Sequence, residues 1–163
     1  MYSILTIVIV YNNFGLVQPH VEQKIQKIAL DSCVVIEIIE KQGFAYKLKN
    51  SLKGRPVSLV LCDVVLNEVQ RVRGFTAAEV ITKISKLLGK KVETIPINGE
   101  QKDFANSVTE QYQFCHKGDN LILALCWAKD YVLLTFDRML LKACEFAGVI
   151  AFHPKWQEVS KIA

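Results

Sequence analysis

At 163 residues, with about half of them apolar and 22 % charged, the chain has the size and composition of an ordinary globular domain with enough length for a real core. A net charge of +4 is compatible with a polyanionic partner but does not demand one. The five cysteines (Cys33, Cys62, Cys115, Cys126, Cys144) form no C-x-x-C pair and fall mostly in apolar runs, so reduced core cysteines are expected and no zinc site is read.

The amino-terminal "ILTIVIVY" is too short to span a bilayer and lacks a basic flank. It reads as a strand in an extension over residues 1–20 of a single domain covering 1–163, with a cytoplasmic location and no membrane partner. A strand is expected near 27–31, then a helix from Val34 to about Glu40 and a second over "FAYKLKNSL". "VSLVLC" suits either a buried strand or a buried helix. A helix is predicted from Asp63 through Arg73. "TAAEVITKISKLLGKK" is amphipathic, with Thr76 as N-cap and Gly89 as its stop. "VETIPI" alternates like a strand, and a polar helix follows from about Glu100 to Phe114. "DNLILALCWAKD" is a helix apolar nearly all round, "YVLLTF" a buried strand, "DRMLLKACEFAG" a helix stopped by Gly148, and "VIAF" a last strand. Strands alternating with helices predict an α/β fold with a mostly parallel sheet.

No phosphate-binding glycine loop is present, and the three histidines lack metal or triad spacing, so chemistry must rest on carboxylates. Asp31 and Asp137 each end an apolar strand and open a helix, which is where open α/β sheets bind ligands. Asp119 opens the apolar helix. Glu68 falls about 40° round the helical wheel from Val64, inside an arc closed by Val72 at about 80°. A carboxylate there needs a cation, a metal or hydrogen-bond donors. Capping accounts equally well for each aspartate taken singly, and Asp63 is read as a cap alone. Glu68 could also pair with Arg71 or Arg138, or snorkel out of the core. Two carboxylates on one sheet edge, however, repel unless a cation lies between them, and Mg²⁺ or Mn²⁺ suits oxygen ligands.

"LDSCVVIEII", "VVLNEVQRV" and "HKGDNLILALCWAKDYVLLTFDRMLLKACEFAGV" together resemble the PIN-domain family of metal-dependent ribonucleases, most closely its VapC-like toxins, over roughly residues 27–153. The resemblance implies a three-layer α/β/α fold and an endoribonuclease. Asp31, Glu68, Asp119 and Asp137 become its catalytic, metal-holding quartet around Mg²⁺ or Mn²⁺, with Ser32 and Thr135 as supporting hydroxyls. It further implies an RNA substrate, an antitoxin protein as partner and a homodimer. Lys117, Arg138 and Lys142, beside the acids, are the candidate RNA phosphate contacts. Lys83, Lys86, Lys90 and Lys91 read better as a solvated helix face. Cys33 stands where the family usually has Asn or Ser, and the amino-terminal extension is foreign to the compact toxin pattern. An RNA-processing or RNA-decay nuclease, and a non-cleaving RNA- or protein-binding module, remain as alternatives.

Overall fold

The computed structural model describes residues 7–8, 20–21, 25–112 and 117–154. Of the strand expected in "ILTIVIVY", Ile7–Val8 (β1) is described and pairs antiparallel with His20–Val21 (β2). The rest of that segment lies outside the described residues, as do Phe114 and Cys115.

The chain then alternates as its periodicity demands. Strand β3 (Gln26–Leu30) leads into α1 (Ser32–Glu40) and α2 (Gln42–Ser51), and β4 (Val57–Cys62) into α3 (Asp63–Arg73) and α4 (Ala77–Leu88). Next come β5 (Val92–Ile95), α5 (Gly99–Tyr112), α6 (Lys117–Lys129), β6 (Val132–Leu134), α7 (Arg138–Ala147) and β7 (Ala151–Phe152). Strands β3 to β7 make one parallel sheet in the order β5-β4-β3-β6-β7. The ambiguous "VSLVLC" is the strand β4, with all six residues buried. Its neighbours on both sides leave no room for a solvent face, which is why it lacks alternation.

Helices cover the sheet on both faces, in the three-layer arrangement expected of the resemblance. One set, α1, α2 and α4, packs together, and the other is built on α6, which contacts α5 and α7. The core holds Ile28, Leu30, Leu59, Leu61, Leu133 and Leu134 of the strands with Ile38, Ile84, Leu123 and Leu125 of the helices, each fully or almost fully buried. Each such side chain contributes roughly 1.5–3 kcal/mol by leaving water.

Helix ends follow local chemistry. Thr76 caps α4 by accepting from the Glu79 backbone N–H at 3.3 Å, while the Glu79 carboxylate accepts from the Thr76 N–H at 2.7 Å. The Thr76 backbone N–H and, after it, the Thr76 hydroxyl donate to the Glu79 carboxylate and hold it below its ordinary range. Thr76→Ala is expected to cost about 1 kcal/mol in urea denaturation without altering the site. Gly74, at φ 74°, ends α3 in the left-handed region that a side chain would strain.

The topology decides where function can lie. The chain builds β3, β4 and β5 outward in one direction, then returns to lay β6 and β7 on the other side of β3. The β3–β6 junction is therefore the switch point, where the connections leaving two adjacent parallel strands diverge and open a crevice at their carboxyl ends. Asp31 follows β3 and Asp137 follows β6. No helix among the described residues is long and apolar enough to cross a membrane.

Candidate active site

At this junction the backbone ladder runs one residue past the strands: the Asp31 N–H donates to the Leu134 carbonyl at 3.0 Å. Asp31 thus enters α1 from a fixed position and caps it, Oδ1 accepting from the Ser32 N–H at 2.7 Å. Its other oxygen, Oδ2, accepts from the Thr135 hydroxyl at 2.6 Å and from the Cys33 thiol at 2.9 Å. Asp31 is only 5 % exposed. Among the described residues no Lys, Arg or His forms an ion pair with it. Its donors are neutral, since burial and the adjacent carboxylate push the Cys33 thiol up to about 12. Neutral donors solvate this carboxylate without cancelling its charge, which leaves it suited to a cation.

Thr135 is completely buried and serves both acids. While donating to Asp31, its oxygen accepts from the Asp137 N–H at 3.0 Å. Asp137 then caps α7 through Oδ1, which accepts from Met139 at 2.6 Å and Leu140 at 3.1 Å. Between them Phe136 packs on Phe44 of α2 and edge-on to His153, at centroid distances of 5.6 and 5.2 Å. The turn carrying Thr135 and Asp137 is thereby pinned to elements at both ends of the chain. Buried Ser32 adds its hydroxyl 3.4 Å from Asp31 Oδ1.

All four predicted acids line one cleft of about 810 Å³: Asp31 and Asp137 at the switch point, Glu68 from α3 and Asp119 from the first turn of α6. Two placements differ from the sequence reading. Asp119 lies inside α6, which begins at Lys117, so it is a first-turn acid rather than the cap. Glu68 does not sit in the apolar arc of α3. That arc is Val65, Leu66 and Val69, whereas Val72 is 43 % exposed and Val64 forms part of the cleft wall. The Glu68 side chain is itself 42 % exposed and lies 3.9 Å from Arg71. Val64 and Val72 lie at the margins of the buried face, so an arc drawn through them is shifted round the helix.

Asp63, read as a cap, occupies the first position of α3 after Cys62, and its carboxylate accepts from the Val64 and Ile97 N–H groups at 2.9 and 3.2 Å. It ties α3 to the loop after β5 and takes no part in the cleft. The candidate RNA contacts fare unevenly. Arg138 and Lys142 are exposed on α7 but do not line the cleft, and Lys142 faces a separate hollow with Leu141, Glu145 and Ile150. The side chain of Lys117 lies outside the described part of the structure.

The sequence reading named none of Cys33, Asn67 and Arg71 as a cleft-forming residue. The signal was present for α3, because Val64, Asn67, Glu68 and Arg71 follow the i, i+3, i+4, i+7 spacing of one helix stripe.

The donors suit a hard divalent cation: carboxylate oxygens from four elements, with a deeply buried member that lacks a protein cation. In the present conformation, among the described residues, no three His, Cys, Asp or Glu side chains converge closely enough to grip an ion. Glu68 is directed to Arg71, and Asp31 to Thr135 and Cys33.

A parallel five-stranded sheet covered by helices, with an acidic cleft at its switch point, defines an α/β protein of the open-sheet type. The family model of the PIN domain matches residues 28–145, and the chain belongs to the PIN-domain family, a family of nucleases that generally use divalent metal ions. The fold is similar to that in the complex of VapBC2 from Rickettsia felis with a promoter DNA fragment, at a TM-score of 0.58 and 18 % identity, covering 78 % of this chain and 98 % of the other. It is similar also to VapBC-1 from nontypeable Haemophilus influenzae, with a TM-score of 0.56, 14 % identity and coverage of 79 % and 98 %. A toxin–antitoxin complex from Klebsiella pneumoniae aligns at 0.54 and 17 %, covering 78 % and 97 %. No curated protein matches the sequence.

Proposed function

We propose that the protein is a divalent-metal-dependent endoribonuclease that hydrolyses RNA phosphodiester bonds in this cleft. The observation that carries the reading is the meeting of Asp31, Glu68, Asp119 and Asp137 in one cleft at the switch point, with Asp31 buried and paired only with neutral donors. The quartet would hold Mg²⁺ or Mn²⁺, drawn together by the cation that four like charges need. When bound, the metal supplies Lewis acidity and an acidified water for in-line attack on phosphorus.

The chain's own residues do the rest. Asp31 and Asp137 are the first candidates for direct ligands, each presented by a helix start that fixes one oxygen through backbone N–H groups. Asp119 and Glu68 flank them and orient water or contribute ligands. Ser32 and Thr135 hold the Asp31 carboxylate at a set angle, and the half-buried Phe136 narrows the cleft beside Asp137. Arg138 and Lys142, outside the cleft, suit a flanking stretch of RNA backbone.

The similar structures include toxin–antitoxin complexes, which favours the toxin reading over RNA processing. An antitoxin protein is accordingly the proposed partner, and a homodimer the proposed assembly. The purified protein is expected to cleave a single-stranded RNA with Mn²⁺ or Mg²⁺ and to stop when EDTA is added. Cleavage that persists in EDTA, or no cleavage with either metal, would reject this function.

A further inference from the structure

The cleft has four carboxylates, and an RNA backbone entering it brings more negative charge. Among its described lining residues Arg71 is the one basic side chain. It lies on the same α3 stripe as Glu68, one turn away, and its side chain is 76 % exposed with Nη2 3.9 Å from Glu68 Oε1. Such a pair is loose: exposed i, i+3 contacts on a helix are worth only a few tenths of a kcal/mol, so a better partner for either member dissolves it. Asn67 stands beside them on the cleft wall and offers amide donors.

We propose that Arg71 is the phosphate-gripping residue of this cleft, held in reserve by Glu68 and released to the RNA backbone when the Glu68 carboxylate turns to a cation. The inference rests on the reading of the site as a metal-dependent ribonuclease and specifies its substrate contact. Guanidinium is suited to the task, since its planar fork meets a phosphate with two parallel hydrogen bonds. The exchange also orders events. Without metal, Glu68 neutralises Arg71 and its own charge repels RNA. With metal, the same carboxylate is engaged elsewhere and Arg71 faces the incoming phosphate. Metal and RNA would then bind cooperatively, through differential contacts that a single helix stripe supplies.

The test uses a fluorescently labelled single-stranded RNA oligonucleotide and five proteins: wild type, Glu68→Gln, Arg71→Gln, their double variant and Arg71→Lys. In EDTA, Glu68→Gln is expected to tighten RNA binding by about fourfold, because it both releases Arg71 without metal and removes a repelling charge, each worth about twofold. In the Arg71→Gln background the same substitution is expected to gain only about twofold, the share due to removing a repelling charge. Arg71→Gln in the Glu68→Gln background should also lower the salt dependence of binding by about one phosphate contact. With Mn²⁺ present, Arg71→Gln is expected to raise KM for cleavage about tenfold with a smaller effect on kcat, and Arg71→Lys to recover part of the loss. Equal gains from Glu68→Gln with and without Arg71, and an unchanged salt slope, would overturn the proposal. Should the wild type cleave nothing, the ribonuclease reading fails separately, while the metal-free binding cycle still decides the role of Arg71.

Discussion

Asp31→Asn is expected to lower cleavage of single-stranded RNA by roughly a thousandfold or more, about 4 kcal/mol of transition-state stabilisation, while the protein melts within a few degrees of the wild type. The fold should tolerate the change because asparagine keeps what the structure asks of this position. Its carbonyl oxygen can still accept from the Ser32 N–H and cap α1. Its amide nitrogen replaces Oδ2, where the Thr135 hydroxyl and the Cys33 thiol now donate, and a hydroxyl can rotate to accept instead. What disappears is a negative charge in the most buried acid of the cleft. Asp31→Ala is the architectural contrast. It removes the cap and leaves the completely buried Thr135 hydroxyl without its acceptor, for a combined cost of roughly 2–4 kcal/mol in denaturant titration. Both variants should be inactive, and only the alanine one should be markedly less stable. Wild-type cleavage by Asp31→Asn would sink the assignment of this site.

Much of this arrangement was legible in the sequence because the strands are short, apolar and followed at once by acids. "YVLLTF" and "VSLVLC" lack alternation for one reason: both strands are covered on two faces. Periodicity could not separate strand from helix in the second, and only its pairing with β3 and β5 does so. Nor could the sequence separate capping from function at Asp137. Its Oδ1 serves the helix while the residue also lines the cleft, so the cap leaves room for the proposed role.

Asp31 and Asp63 look alike as residues between a strand and a helix. Their fates differ through strand order, which is a tertiary property: β3 borders the switch point with β6, whereas β4 lies between β3 and β5. The helix α3 shows the opposite limitation. Its valines outline too wide a stripe, and the boundary between core and cleft is set by α4 and α6 packing against it, not by α3 itself. The wheel of α3 therefore misjudges the surroundings of Glu68, whose side chain lies on the cleft side of that boundary. Cys33 stands where the family usually has Asn or Ser, yet its thiol supplies a second side-chain donor to Asp31 Oδ2 beside that of Thr135.

Thr135→Val tests whether the two leading acids act as one device. Valine has nearly the same shape, so the substitution removes a hydroxyl and little else. The loss is felt at both ends: Asp31 Oδ2 gives up its 2.6 Å donor, and the Asp137 N–H gives up its acceptor. At a fully buried position each orphaned group is costly, and a destabilisation of roughly 1–3 kcal/mol is expected in urea. The functional effect should exceed what that instability explains. With Asp31 no longer held at its angle to Asp137, cleavage is expected to fall about 10–100-fold, and the Mn²⁺ concentration for half-maximal rate to rise by a similar factor. Thr135→Ser, which restores the hydroxyl, should recover most of both losses. In an Asp31→Asn background the valine substitution should cost little further activity, since one member of the pair is already lost. An unshifted Mn²⁺ midpoint in Thr135→Val, with stability reduced as expected, would make Thr135 a structural residue only and leave Asp31 and Asp137 to act independently.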